Sequence, residues 1–64
     1  MIEVPADFQA ALDARPEAAA FFATLGKSAR YPFLYRIHSA KRPETRARRI
    51  AEFTDLLAEG KQLR

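Results

Sequence analysis

Pro43-Glu44-Thr45-Arg46-Ala47-Arg48-Arg49-Ile50-Ala51-Glu52-Phe53-Thr54-Asp55-Leu56-Leu57-Ala58-Glu59-Gly60 reads as one amphipathic helix with its own start and stop. Pro43 suits the first helical position, where its missing N–H has no partner to lose, and Gly60 suits the position just past the end. Ala47, Ile50, Phe53, Thr54 and Leu57 recur at helical spacing and predict the inner face. Arg48, Glu52, Asp55 and Glu59 predict the outer one. Arg48 and Glu52 are an i,i+4 pair of opposite charge, worth a few tenths of a kcal/mol at most. A helix of this kind buries its stripe only against other helices.

Upstream, the same punctuation recurs. Pro5 to Ala14 reads as a first helix, with Phe8, Ala11 and Leu12 on one side and Asp7 in the first turn, where the helix dipole favours a negative charge. Pro16 ends it, because the residue before a proline is pushed out of the α region. Pro16 to Leu25 reads as a second helix with Ala18, Phe21, Phe22 and Leu25 as its stripe, and Gly26 as a left-handed C-cap. Ala29 to Ala40 reads as a third, with Ser28 as N-cap or a later start near Tyr31, since Pro32 removes one backbone bond. Two stripes compete there: Tyr31, Leu34, Tyr35 and His38 against Phe33, Ile37 and Ala40. A helix apolar on more than one side is predicted to be central. Residues 1–4 read as an extended lead-in and residues 61–64 as a frayed end.

The expected fold is therefore all-α, a compact bundle of four short helices in a single domain over residues 1–64. Helices under about 12–15 residues are marginal alone in water, so they must pack together. The predicted core is Phe8, Leu12, Phe21, Phe22, Leu34, Ile37, Ile50, Phe53 and Leu57.

Composition limits the function classes. A chain of 64 residues is one domain at most, and a domain of that size buries only about 60% of its unfolded surface. There is no cysteine and one histidine, so no disulfide framework, thiolate site or zinc site is expected, and no cofactor. The lack of cysteine fits a reducing, cytoplasmic setting. No run of 18 apolar residues marks a membrane span, and the acidic start does not read as a signal peptide.

The net charge of +3 conceals an asymmetry. Residues 1–26 carry Glu3, Asp7, Asp13 and Glu17 against Arg15, a balance of −3, whereas residues 27–64 carry ten Lys/Arg against four acids, a balance of +6. The positive charge is densest from Lys27 to Arg49. It reads either as a footprint for an anionic partner or as an internal match for the acidic half.

The segment Ile37-His38-Ser39-Ala40-Lys41-Arg42-Pro43-Glu44-Thr45-Arg46-Ala47-Arg48-Arg49-Ile50, with Leu57 and Gly60 behind it, resembles the signature of the bacteriocin-protection, YdeI/OmpD-associated (OmdA-type) family. Val4-Pro5-Ala6-Asp7-Phe8 with Leu12 resembles the start of the same module, so the likeness covers nearly the whole chain. Ala-Lys followed by Glu-Thr-Arg is its specific part, while residues 31–35 depart from the usual, more polar pattern without proline. The resemblance implies a small helical module of bacterial proteins, often C-terminal to a separate β-rich domain. It leaves open whether this chain stands alone or is a piece of a longer protein. It implies no reaction, since the family is named for bacteriocin resistance and an association with an outer-membrane porin.

The candidate anion- or partner-binding residues are Lys41, Arg46, Arg48 and Arg49, with Glu44, Thr45 and Ile50 as the structural part of the motif. Helical geometry turns Arg46 and Arg49 partly toward Ile50 and Phe53 and turns Arg48 outward. On the structural reading, Arg46 or Arg49 lays its stem over the core and pairs with Asp7 or Asp13, and Thr45 bonds nearby backbone. On the binding reading, Lys41, Arg46 and Arg49 converge at a helix N-terminus on a phosphate or carboxylate, against which Pro43 and Glu44 both count. Nucleic-acid binding is permitted by a pI of about 9.8, but no recognition helix is evident. His38 reads as a surface or satisfied helix residue rather than a base, and no hydroxyl lies in a nucleophile motif. The expected function is thus an accessory or protein-interaction module and not an enzyme. Its partner would be a protein or a second copy. The alternative is a phosphate or nucleic-acid binder through Lys41–Arg49.

Overall fold

Among the described residues four helices form, each bounded where the sequence changes character: α1 (Ala6–Asp13), α2 (Pro16–Thr24), α3 (Lys27–His38) and α4 (Pro43–Ala58). The computed structural model describes residues 3–62; the expectations for residues 1, 2, 63 and 64 fall outside them. The all-α bundle anticipated from the periodicity is what the chain adopts. Its radius of gyration is 10.6 Å, against about 11 Å expected of a compact chain of this length.

The helix ends show how local chemistry sets the boundaries. Pro16 and Pro43 open α2 and α4, where a fixed φ is already helical. At the far end of α4, Gly60 takes φ 74°. Its N–H reaches the carbonyl of Leu57 at 2.9 Å, and that of Lys61 reaches Leu56 at 3.0 Å. This paired closure uses the last carbonyls of the helix and calls for a left-handed residue that only glycine adopts without strain.

The second junction differs from expectation. Gly26 is not a left-handed C-cap; it is extended (φ −77°, ψ 174°) and precedes α3. Its carbonyl accepts from Ala29 and Arg30 at 3.1 and 3.0 Å. Ser28 is accordingly inside the helix rather than its N-cap. The later start near Tyr31 is also excluded, because Pro32 sits within α3. The fixed φ of proline is helical, so the cost is the bond it cannot donate to Ser28. Ser28 is exposed, and water can take the place of that bond.

α4, not α3, is the centre. It packs on each of the other three helices, most extensively on α2, and α1 also packs on α2. With 16 residues it spans about 24 Å, enough to reach every neighbour. α3 buries one side only: Phe33, Leu34 and Ile37 face in, while Tyr31, Tyr35 and His38 face out. The two competing stripes thus resolve into a mixture of both.

The core is an aromatic relay. Phe8 meets Phe22 edge-to-face at 5.5 Å, Phe22 meets Phe33 at 6.3 Å, and Phe33 meets Phe53 at 5.3 Å. One phenylalanine from each helix takes part, so the relay ties all four together. Edge-to-face pairs contribute about 0.5–1.5 kcal/mol each beyond their burial. Leu12, Ala18, Leu25, Leu34, Ile37, Ile50 and Leu57 fill in around it. Phe21, expected in the core, is only half-buried against its edge, and Ala47, expected on the inner face of α4, is exposed. Phe33 takes the deep position instead, because the relay needs a ring from α3 opposite Phe22 and Phe53.

Candidate functional site

Arg46 projects from the second turn of α4 toward the junction of α1 and α3. Its Nε donates to Oδ2 of Asp7 at 2.6 Å and its Nη2 to Oδ1 at 3.0 Å, while Nη1 donates to the carbonyl of Ile37 at 3.3 Å. One guanidinium therefore touches α1, α3 and α4. The fork matches a carboxylate geometry that lysine cannot reproduce. Arg46, with the Phe8 backbone N–H at 2.9 Å, holds the carboxyl of Asp7 below its ordinary value, mainly through the side-chain hydrogen bond. Asp13, the other acid considered, accepts from Gln9 on its own helix.

One turn on, Arg49 turns to the end of α3. Its Nη1 donates to the carbonyl of Arg36 at 2.6 Å and lies 3.4 Å from Oγ of Ser39. Ser39 in turn donates to the same carbonyl at 3.2 Å. A cation at a helix C-terminus meets the negative end of the dipole and carbonyls left without partners.

The remaining candidates make no hydrogen bond or ion pair with these two among the described residues. Lys41 lies exposed between α3 and α4, Glu44 is exposed in the first turn of α4, and Arg48 points to solvent. Thr45 is half-buried and Ile50 buried. The expected convergence of Lys41, Arg46 and Arg49 on the N-terminus of α4 is not what the geometry shows: Arg46 is held by Asp7 and Arg49 faces the end of α3. A second link joins the halves of the chain, Arg15 Nη1 to Asp55 Oδ1 at 2.8 Å, between the α1–α2 connection and the outer face of α4.

The match of these residues to a motif has a counterpart at the level of the whole chain. Residues 1–60 match the family model described as OmdA, bacteriocin-protection, YdeI or OmpD-associated. The chain belongs to the OmdA family. No curated protein and no solved structure matches it. Within this OmdA-family chain, the Glu-Thr-Arg and Arg-Arg-Ile parts of the signature supply the two guanidinium groups that fasten α4 to the end of α3, and one of them also fastens it to α1.

Two surface features lie next to these contacts. Tyr31 and Tyr35 stack on each other at 5.8 Å with an interplanar angle of 23°. They are 52% and 53% exposed, the large hydrophobic side chains left outside the core among the described residues. Beside them, between the end of α3 and the middle of α4, an open cleft of about 300 Å³ is lined by Arg36, Ser39, Arg49, Glu52 and Phe53. No acidic residue occurs between Glu17 and Glu44, whereas Lys27, Arg30, Arg36, Lys41 and Arg42 fall in that interval. That gap in acidic residues is the signal that could have drawn attention to Arg36, which the motif-centred reading missed. Arg30 is turned inward, its guanidinium carbon 4.8 Å from the centre of the Phe22 ring and its Nη2 3.3 Å from the carbonyl of Ala23.

Among the described residues, no group of three or more His, Cys, Asp or Glu is placed to hold a metal ion, and no helix is long and apolar enough to cross a membrane. His38 places Nε2 3.3 Å from the backbone carbonyl of Glu3.

Proposed function

We propose that this chain is an accessory module that recognises a protein partner through the outer face of α3, and that it is not an enzyme. The observation that carries this reading is the stacked, half-exposed Tyr31–Tyr35 pair. Tyrosine offers a large rigid apolar ring with a polar tip, and so can be half in water when free and fully covered when bound. Tyrosine is enriched among residues that dominate binding energy at protein interfaces. The two side chains hold each other in one orientation, which reduces the entropy lost on docking. They also stand on a helix whose opposite face is anchored by Phe33, Leu34 and Ile37.

The alternative, a phosphate or nucleic-acid site along Lys41–Arg49, has less support. Of its four cations, Arg46 is neutralised by Asp7, and Arg49 is turned to the end of α3 rather than to the N-terminus of α4 where an anion would sit. Placing a photo-reactive phenylalanine analogue at position 35, and for comparison at the exposed position Ala51, tests the proposal. A discrete protein adduct from position 35 and none from position 51 is the expected result. An adduct removed by nuclease, or equal adducts from both positions, overturns it.

A further inference from the structure

We infer that the cleft at the corner of α3 and α4 is a carboxylate-binding subsite of the partner face, so that the partner presents an acidic protein segment. This rests on the proposed role of the tyrosine pair and specifies its chemistry. The cleft is lined by Arg36, Ser39, Arg49 and Glu52, with the largely buried Phe53 among them.

Neither arginine has an ion-pair partner among the described residues. Arg49 directs Nη1 to the carbonyl of Arg36 and to Ser39, which leaves its remaining donors for an incoming acceptor. Arg36 is exposed in the last turn of α3. Two arginines at one opening suit a planar carboxylate, which accepts forked bonds from a guanidinium group.

Tyr31, Tyr35 and the cleft-lining Ser39 are spaced i, i+4 and i+8 along α3 and its C-cap, and all three are exposed, so they share one side of the helix. The tyrosine pair and the cleft are therefore parts of one surface. A partner segment that covers the rings with apolar side chains can place an acidic side chain in the cleft. The charge favours such a segment, because no acid lies between Glu17 and Glu44. An acidic peptide is preferred to a single strand of nucleic acid because Tyr31 and Tyr35 already stack on each other, which leaves less ring face for bases.

Glu52 lines the same cleft without an ion pair to either arginine. It opposes an incoming carboxylate, and this gives the inference a signature that a purely structural cleft would lack. Removing the charge of Glu52 strengthens binding, while removing that of Arg36 weakens it.

The experiment is a titration of the isotope-labelled chain with a short capped peptide of alternating glutamate and leucine, followed by amide chemical shifts. The amides of Arg36, Ser39 and Arg49 are expected to move together with those of Tyr31 and Tyr35. Arg36→Gln, which leaves the backbone carbonyl used by Arg49 in place, should weaken the peptide about tenfold, the worth of one charge-assisted bond. Glu52→Gln should tighten it. Equal affinity for Arg36→Gln and the parent chain, or weaker binding by Glu52→Gln, overturns the subsite. If a Tyr31→Ser, Tyr35→Ser double variant then still loses affinity, the partner face stands without the subsite. If that variant also binds like the parent chain, both readings fall. A single-stranded oligonucleotide that moves the same amides at lower concentration than the peptide overturns the acidic-segment assignment.

Discussion

Arg46 and Asp7, 39 positions apart in the chain, are joined by two parallel bonds, Nε to Oδ2 at 2.6 Å and Nη2 to Oδ1 at 3.0 Å. The carboxylate side chain is 48% exposed and the guanidinium side chain 29%, so solvent screens the charge part of the pair to about 1 kcal/mol or less. Arg46→Ala removes more than the pair. It also deletes the bond to the Ile37 carbonyl and the packing of the arginine stem. A combined loss of about 2 kcal/mol is expected, which lowers the melting temperature of so small a domain by roughly 10 °C. Arg46→Lys keeps the charge without the fork and should lose about half as much. Thermal unfolding followed by circular dichroism measures both.

The same pair makes stability depend on acid. The carboxyl of Asp7 is held below its ordinary 3.8 by the hydrogen bond and charge of Arg46. A group with a depressed folded value stabilises the fold fully above its unfolded value and ceases to do so as pH falls through the folded one. Asp7→Asn should therefore be less stable than the parent chain at neutral pH, and the gap should close as pH is taken below 3.8. A gap that stays constant down the acid limb would show that the charge of Asp7 contributes nothing to folding.

Arg48 and Arg49 are neighbours with opposite surroundings. Arg49 reaches the Arg36 carbonyl at 2.6 Å, and Arg48 is exposed with no bond to another residue among those described. Arg49→Ala is expected to cost about 1–2 kcal/mol, as the loss of a bond from a charged donor does. Arg48→Ala should stay within about 0.5 kcal/mol of the parent chain. Urea titrations of the two variants side by side decide it, and equal small effects would detach Arg49 from the fold.

Much of this architecture is legible in the sequence because its punctuation is local. Pro16, Pro43 and Gly60 mark helix ends by restrictions on their own backbone, and the stripe of α4 is read within two turns. The failures occur where two distant elements decide. Nothing near Arg46 chooses Asp7 over Asp13, since that depends on how α1 is rotated against α4. Tyr31 and Phe33 look equally apolar by period, yet the relay from Phe22 to Phe53 takes Phe33 inward and leaves the hydroxyl-bearing ring in water. Gly26 misled for a related reason. A glycine between two helices can close one or open the next, and the short Leu25–Gly26 connection makes it the carbonyl that starts α3. Arg36 was overlooked because its cleft is completed by Arg49, Glu52 and Phe53 from the following helix.

Phe33 gives the sharpest test of the packing. It is fully buried and sits between Phe22 and Phe53 at 6.3 and 5.3 Å. Phe33→Ala leaves a cavity among atoms that can only partly relax, at a cost of about 3–5 kcal/mol. A single core in a chain of this size supplies roughly 3–5 kcal/mol in all, so this variant is expected to be largely unfolded at room temperature. Phe33→Leu retains most of the volume and loses the two edge-to-face contacts, for about 1–2 kcal/mol, and should still fold. Phe21→Ala, at a half-buried site beside the core, should cost clearly less than Phe33→Ala. Far-ultraviolet circular dichroism with urea titration ranks the three. If Phe21→Ala proved as damaging as Phe33→Ala, the relay through Phe33 would not be the element that joins the four helices.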